Sequence, residues 1–401
     1  MSKSVVIIGG GHAAAEAVIA LYQAGWRDSI VMLSDEPHLP YQRPPLSKAY
    51  LKGDLEADKL AIKSAAMYDK VGADIRLNTT VTEIDRDSQC VLTACGSRIG
   101  YDYLIIATGT RPRQLEIPGY PTSNVHYLRT LDDAEGIKQA VGEGTRVLLV
   151  GAGYIGLELA ASATALGAVA TVLEAQPRVL ARVTCEIMSD FYSQLHKGHG
   201  VDIRVSAMID HVRQEESSWV AVLQDNSEIS FDVLVAGIGV LPNVELAQEA
   251  GLACDNGILV DETTATNDPR VFAIGDCCNH PNHLYQTRLR LESVPNANDQ
   301  AKVAAASIVG KPIAYDALPW FWSDQYDIKL QTAGLSAGFD QTVVRGDPAS
   351  GKFAVFYLQQ GRLLAVDAVN SPADFMMARR HIPAGITPDP VLLEDVTTPW
   401  C

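Results

Sequence analysis

The chain has 401 residues, 47% hydrophobic and 20% charged, with 48 acidic against 32 basic side chains and a formal net charge of −16. The length predicts two to three domains with sizeable cores, and the apolar content excludes global disorder. The acidic balance excludes a general nucleic-acid binder, which needs a positive field to displace counterions.

The chain enters a strand-like run at Val5–Ile8 without the basic start, apolar stretch and cleavage site of a signal peptide. Its longest apolar runs, such as Val233 to Leu241, fall far short of the roughly 20 residues that span a bilayer. A soluble, cytoplasmic protein with no membrane partner is expected. The seven cysteines form no CxxC and no metal-type pair, so they read as reduced thiols, and no metal site is predicted.

The first informative element is Val5-Val6-Ile7-Ile8-Gly9-Gly10-Gly11-His12-Ala13-Ala14-Ala15-Glu16. It reads as strand, tight turn and an Ala-rich helix to about Gln23. Gly9 permits the turn, Gly11 lets the backbone approach a pyrophosphate, and Ala14 takes the close-packing third position. The helix N-terminus turns its unpaired N–H groups and positive dipole end toward the phosphates. A second strand, Ile30 to Leu33, ends in Ser34-Asp35-Glu36, and an acid there accepts hydrogen bonds from a ribose; Asp35 is preferred over Glu36.

The same grammar returns in Arg146-Val147-Leu148-Leu149-Val150-Gly151-Ala152-Gly153-Tyr154-Ile155-Gly156-Leu157-Glu158-Leu159, with all three glycines. The next strand, Thr171 to Leu173, ends at Glu174, which suits two free ribose hydroxyls and repels a 2′-phosphate, so NAD is preferred over NADP. Arg178 and Arg182 lie downstream, where a phosphate contact would weaken that preference. Two such units predict two dinucleotides, a resident flavin and an exchangeable nicotinamide.

Three further segments, Tyr101 to Pro112, Asp232 to Asn243 and Val271-Phe272-Ala273-Ile274-Gly275-Asp276, resemble in kind and order those of the glutathione-reductase-like superfamily. Within it, four stretches resemble the NADH-dependent ferredoxin reductases of bacterial oxygenase systems. They are His38 to Leu51, with Pro44-Pro45-Leu46-Ser47-Lys48 at its centre, then Tyr127 to Ala134, Glu292 to Ala297, and Pro319-Trp320-Phe321-Trp322-Ser323-Asp324-Gln325. The resemblance runs from residue 5 to about residue 375.

That resemblance implies an α/β fold with two Rossmann-like dinucleotide-binding domains. Residues 1–112 and 244–315 would form a split FAD domain, and residues 113–243 an inserted NAD domain. Residues 316–401 would form an α+β C-terminal domain that closes over the flavin and presents a docking surface. Pro112, Pro118, Gly119 and Pro242 mark the crossings.

It implies tightly bound, non-covalent FAD and exchangeable NADH. Many superfamily members carry a redox-active cysteine pair after the first acid, whereas residues 1–89 here hold no cysteine, which excludes a thiol relay at that place. The Pro-Pro pair is expected to set a helix entry with Lys48 on its first turns, and the resemblance implies that Lys48 sits beside flavin N5. Glu158 is expected on the first helical turn after the second glycine loop. There it would complement the dipole, and by resemblance it would lie close to the nicotinamide and Lys48. By the same likeness Asp276 contacts the ribityl chain. Glu292 precedes Val294, whose backbone meets the flavin ring edge, and Arg43, Pro44, Val81, Ala107 and Arg129 fall on further FAD positions. Gly151, Gly153, Tyr154, Ile155, Gly156, Glu174, Arg182, Ile238 and Gly239 fall to the nicotinamide dinucleotide. Three aromatics in succession cannot all face one side of a strand. The likeness puts Trp320 and Trp322 over the flavin on the electron-exit side, either one being the nearer. Cys277 and Cys278 read as packing, His280 and His283 as non-ligands, and Cys401 as a thiol without a role.

The implied activity is hydride transfer from NADH to FAD, followed by single-electron transfer to a 2Fe-2S ferredoxin. The ferredoxin would feed a haem-thiolate monooxygenase or a ring-hydroxylating dioxygenase. Alternatives are a rubredoxin reductase, a type-II quinone-reducing NADH dehydrogenase and a non-enzymatic flavin-bearing binding protein. Against the second stands the tail His381 to Pro390, whose three prolines are expected to break any amphipathic membrane helix. Against the third stands the lack of targeting segments and basic surfaces. Ferredoxins are acidic, so docking on a chain of this charge requires a local basic patch, for which Arg288, Arg290, Arg379 and Arg380 are the candidates. A monomer or weak dimer is expected.

Overall fold

The computed structural model describes residues 3–215, 218–398 and 400, so Cys401 lies outside the described residues. The chain divides into two compact units. One comprises Met1–Gln42, Ala57–Arg111 and Leu241–Pro319; the other comprises Arg43–Glu56, Pro112–Val240 and Trp320–Cys401.

The first unit is built on a parallel five-stranded sheet in the order Val271–Ala273, Tyr103–Ile106, Ser4–Ile8, Ser29–Leu33, Ala73–Arg76. A parallel sheet is covered on both faces, and its inner strands are accordingly runs of apolar residues rather than alternations. On one face the helix His12–Ala24 packs against the helix Val294–Ile308. Their contact is made largely by Ala13, Ala14, Ala17, Ala297, Ala301, Ala304 and Ala305, small side chains that let two helices approach closely. The other face carries a core that includes Val81, Ile84 and Val91 of a three-stranded antiparallel sheet. Cys277 and Cys278 are fully buried in that core, where burial pushes both thiols up, as expected of packing residues.

The second unit holds a second parallel sheet in the order Asp202–Val205, Val169–Glu174, Arg146–Val150, Val233–Ala236, Val125–His126. It also holds a five-stranded antiparallel sheet in the order Trp320–Gln325, Ile328–Gly334, Arg362–Val369, Lys352–Gln359, Gln341–Asp347. One apolar cluster joins Leu157, Val172, Met188 and Tyr192 of the dinucleotide part to Leu330, Phe353, Val355, Tyr357 and Val369 of the antiparallel sheet.

The chain past the last strand is fastened to this sheet. Buried Arg345 donates to the carbonyls of Leu392, Leu393, Asp395 and Thr398 and pairs with Asp374 at 3.2 Å, while Trp400 Nε1 donates to Asp374 Oδ1 at 2.7 Å. One expectation changes here. The helix Pro372–Ala384 runs through Pro383 and ends at left-handed Gly385. Proline is tolerated because it falls in the last turn, where it removes one backbone bond and the helix has no further turn to disrupt. Among the described residues no helix is long and apolar enough to cross a membrane.

Candidate active site

Each parallel sheet delivers a glycine loop from the end of its first strand. In both, the first glycine donates to the end of the neighbouring strand, Gly9 N to Leu33 O at 2.8 Å and Gly151 N to Leu173 O at 2.7 Å. Both have positive φ, +124° and +106°, and a Cβ there would sit 2.2 Å from Ala107 O or 2.4 Å from Gly237 O, so only glycine fits. The helices that follow, His12–Ala24 and Tyr154–Ala165, start at Gly11 and Gly153 with no side-chain cap and no acid in the first turn. A Cβ on Gly11 or Gly153 would meet nothing within 4 Å, which leaves the helix N–H groups open to a ligand. Two uncapped, unobstructed helix N-termini behind strand-end glycines fit two pyrophosphates.

The acids are placed differently. Glu174 is the last residue of its strand and accepts from Ala152 N and from Gln176 N, both at 2.8 Å. The matched Gly9 and Gly151 bonds put Ser34, not Asp35, at the position equivalent to Glu174. Ser34 is buried against the first loop, where a Cβ on Gly10 would lie 2.2 Å from its Oγ. Asp35 follows as an exposed residue, while half-buried Glu36 accepts from the Tyr41 hydroxyl.

In the second unit the predicted pair comes together. Lys48 Nζ lies 2.6 Å from Glu158 Oε2, the two side chains being 17% and 1% exposed. Ser47 Oγ donates to the same oxygen at 2.6 Å, and Ser323 Oγ donates to Oε1 at 2.6 Å. Both carboxylate oxygens are therefore engaged, as a buried anion requires; removing one partner of such a pair costs about 3–5 kcal/mol. Ser162 Oγ bonds the Ser47 carbonyl at 2.6 Å and so seats the Lys48 segment on the helix that carries Glu158.

Two details differ from expectation. Pro44–Ser47 is a single 3-10 turn with Lys48 as its C-terminal cap, not the opening of a helix. Pro44 and Pro45 bring no N–H, and Lys48 N and Tyr50 N both return to Pro45 O at 3.0 Å, which closes the turn. Glu158 is the fifth residue of its helix and sits beyond the first turn, directed into the core rather than complementing the dipole at the end.

The strand Trp320–Gln325 alternates strictly. Phe321 packs on Tyr154 at 4.9 Å between ring centroids, Ser323 reaches Glu158 and Gln325 reaches His196. Trp320 and Trp322 take the other face, 5.7 Å apart, with Arg379 placed 4.9 Å over the Trp320 ring and Phe375 beside it.

The remaining predicted residues divide between the units. Val81 and Ala107 are buried in the first. There Asp276 lies on a 3-10 turn whose Gly275 is 3.0 Å, measured from an ideal Cβ, from Ala13 at the glycine-loop helix. Val294 is the first residue of its helix behind the Ser293 cap, and exposed Glu292 pairs with Arg290 at 2.7 Å. In the second unit Arg43 donates to the Arg129 carbonyl, beside half-buried Pro44. Exposed Arg182 lies 3.8 Å from an ideal Cβ on Gly239, next to Ile238, and Ile155 is 46% exposed one residue before Gly156. Arg178 is spent internally on Ser189 and the Ala181 carbonyl. Of the basic candidates, Arg288 is bonded to two carbonyls and Arg290 is 11% exposed in its ion pair, whereas Arg379 and Arg380 are exposed on the helix Pro372–Ala384. Among the described residues no group of three or more His, Cys, Asp and Glu side chains is arranged to hold a metal ion.

Sequence reasoning missed Ser47 and Ser323 as partners of Glu158, and Gln325 and His196 behind them. Both serines lay inside motifs already singled out. The missing signal was the strand period of two, which puts Ser323 on the face opposite the tryptophans.

Two parallel sheets, each with a strand-end glycine loop, and a buried lysine–carboxylate pair in the second unit define a two-dinucleotide oxidoreductase. Residues 3–301 match the model of the pyridine nucleotide-disulphide oxidoreductase family and residues 320–400 that of the reductase C-terminal family, and the chain belongs to the first of these along most of its length. It is 42% identical to putidaredoxin reductase of Pseudomonas putida over 404 residues, with 99% of this chain and 96% of the relative covered. It is 44% identical to rhodocoxin reductase of Rhodococcus erythropolis, with 94% and 88% covered. The solved covalent putidaredoxin reductase–putidaredoxin complex matches with a TM-score of 0.96 at 41% identity, covering 99% of this chain and 97% of the other. The protein is an oxidoreductase with FAD and NAD(H) as cofactors, which the two loops fit.

Proposed function

We propose that the protein is an NADH-dependent ferredoxin reductase of a bacterial oxygenase system, working in the cytoplasm. It takes hydride from NADH and passes single electrons to a 2Fe-2S ferredoxin that serves a haem-thiolate monooxygenase or a ring-hydroxylating dioxygenase. Bound FAD supplies the conversion of one two-electron step into two one-electron steps. The observation that carries the reading is the Pro44–Lys48 segment, which presents Lys48 salt-bridged to buried Glu158 and holds no thiol. Electrons that enter from NADH then leave to an external carrier rather than to a dithiol.

In this reading the loops at Gly9–Ala14 and Gly151–Gly156 hold FAD and NADH respectively. Asp35, Arg43, Pro44, Val81, Ala107, Arg129, Asp276, Glu292 and Val294 serve FAD. Tyr154, Ile155, Glu174, Arg182, Ile238 and Gly239 position NADH. Lys48 supplies a fixed positive charge for the hydride step, and Glu158 holds that lysine in place. Trp320 and Trp322, with Arg379 above them, serve electron exit and partner docking. The three-part division into a split FAD domain, an NAD domain and a C-terminal docking domain, at the boundaries given above, belongs to the same proposal.

The test is anaerobic mixing of the purified flavoprotein with NADH, followed by turnover with a panel of 2Fe-2S ferredoxins and rubredoxins. NADH is expected to bleach the flavin absorbance, and at least one ferredoxin to accept electrons faster than any rubredoxin. A flavin that NADH leaves oxidised would overturn the reading.

A further inference from the structure

The Glu158 carboxylate is the end of a longer polar line through the core of the second unit. Behind Ser323, the Gln325 Nε2 donates to Ser323 Oγ at 3.2 Å, and the Gln325 Oε1 meets His196 Nε2 at 2.8 Å. His196 Nδ1 in turn meets the Tyr326 hydroxyl at 3.2 Å, and half-buried Tyr326 stacks on exposed His199 at 3.7 Å. Glu158, Ser323, Gln325 and His196 are all buried, between 0% and 2% exposed.

The direction of every hydrogen in this line follows from its end. An ionised carboxylate only accepts, so Ser323 Oγ must donate to Glu158 and must therefore accept from Gln325. The Gln325 amide then turns its NH₂ to Ser323 and its oxygen to His196, which must hold its proton on Nε2. His196 Nδ1 is left to accept from Tyr326. Burial lowers the His196 imidazole to about 4, which keeps it the neutral, one-proton ring this arrangement needs. The result is a file of donors all aimed at one oxygen of Glu158, while the other oxygen takes Lys48 and Ser47. Aligned hydrogen bonds in a low-dielectric interior polarise one another, so the last bond of such a file is stronger than an isolated one. The other titratable side chains facing this carboxylate are Tyr154 and Tyr192, both held neutral by burial.

We infer that Ser323, backed by Gln325 and His196, is a positioning residue for hydride transfer: it fixes the Glu158 carboxylate so that Lys48 is held in its working geometry. Without the Ser323 hydroxyl, Oε1 has no partner, the carboxylate is held through Oε2 alone, and its geometry toward Lys48 is less tightly fixed. The inference rests on the reading of Lys48 and Glu158 as the groups that serve the hydride step.

The test uses the flavin-loaded protein and three variants, Ser323→Ala, Ser323→Thr and Gln325→Met. In anaerobic stopped flow, Ser323→Ala is expected to lower the limiting rate of flavin bleaching by NADH about tenfold, with the NADH dissociation constant unchanged. Ser323→Thr restores the hydroxyl and with it most of the rate, and Gln325→Met, which breaks the file one link further back, gives about a threefold loss. A second readout does not depend on turnover. The rate at which an amine-acetylating reagent modifies Lys48, followed by peptide mass spectrometry, is expected to rise about fivefold in Ser323→Ala and not in Ser323→Thr. Wild-type bleaching and labelling rates in Ser323→Ala would overturn the inference, as would an equal loss in Ser323→Thr. If Ser323→Ala does not retain flavin, Gln325→Met decides alone, and a wild-type rate there is the overturning result. Failure of the wild-type protein itself to bleach with NADH would instead remove the underlying functional reading.

Discussion

The two glycine loops share a backbone and differ in what fills it. In the first, Ala14 takes the third position and Ser34 packs under Gly10, leaving acidic Asp35 one residue further on and exposed. In the second, Gly156 takes that position, where a Cβ would lie 2.1 Å from the Gly151 carbonyl oxygen, and Glu174 reaches back to the Ala152 N–H. The first loop thus packs a side chain of its own unit beneath Gly10 while its helix N–H groups at Gly11 stay open. The second keeps its acid at the loop itself, where the proposed reading gives it to the NADH ribose.

The largest test of this contrast exchanges the third positions. Gly156→Ala puts a methyl against backbone that cannot move aside, and NADH-dependent ferricyanide reduction should fall by at least about a hundredfold with flavin content intact. Ala14→Gly removes a methyl from a site that already accommodates it. Flavin should stay bound while stability drops by about 1 kcal/mol, visible as a lower Tm. Equal effects of the two changes on NADH turnover would erase the distinction between the loops.

A smaller effect is expected from the acids. Glu174→Gln weakens the hold on Ala152 and on ribose, and KM for NADH should rise about tenfold with kcat preserved. Asp35→Asn removes the acid that the proposed reading gives to FAD, and FAD affinity should fall about tenfold in rebinding titrations of the stripped protein.

The smallest test concerns a buried carboxyl, a kind of group that the described residues of the first unit do not bury. Asp367 is buried beside Thr184 and Tyr357, accepting from both hydroxyls, and burial raises it from 3.8 to about 6. The folded chain therefore still binds this proton at pH values where the unfolded chain has released it. The Asp367 contribution then weakens stability as pH rises from about 4 to 6. Asp367→Asn should flatten that part of the pH–stability curve, as followed by urea midpoints at pH 4.5 and 7 in the same buffer series. A parallel curve in the variant would show that the group does not titrate there.

Much of this is legible in the sequence. Strand, glycine turn and helix are written locally, so both loops, their sheets and the order of the segments follow from Val5 to Glu16 and Arg146 to Leu159. Lys48 and Glu158 were named as partners from a family likeness, and the salt bridge joins them. What the sequence hid depends on contacts between distant segments. Nothing local to Ser34 reveals that it, rather than Asp35, stands opposite Glu174, because the register is set by bonds from Gly9 and Gly151 to neighbouring strands. Nothing near Ser47 or Ser323 shows that they meet at one carboxylate, since 276 positions of chain separate them (323 − 47). The 3-10 turn at Pro44–Ser47 was misjudged because proline pairs open helices and tight turns equally well.

The strand Trp320–Gln325 is read twice, like a text printed on both sides of a page. Odd-numbered Ser323 and Gln325 write the polar file behind Glu158, with Phe321 on the same face against Tyr154, and even-numbered Trp320 and Trp322 write the aromatic face under Arg379. Because strand side chains alternate, slipping its register by a single residue would exchange the two texts at once, burying tryptophan at Glu158 and turning the serine out. This short segment is therefore free to vary in identity at either face separately, but not in length. Any lineage that lengthens the connection near Pro319 must do so where a loop absorbs the change before the pleat begins.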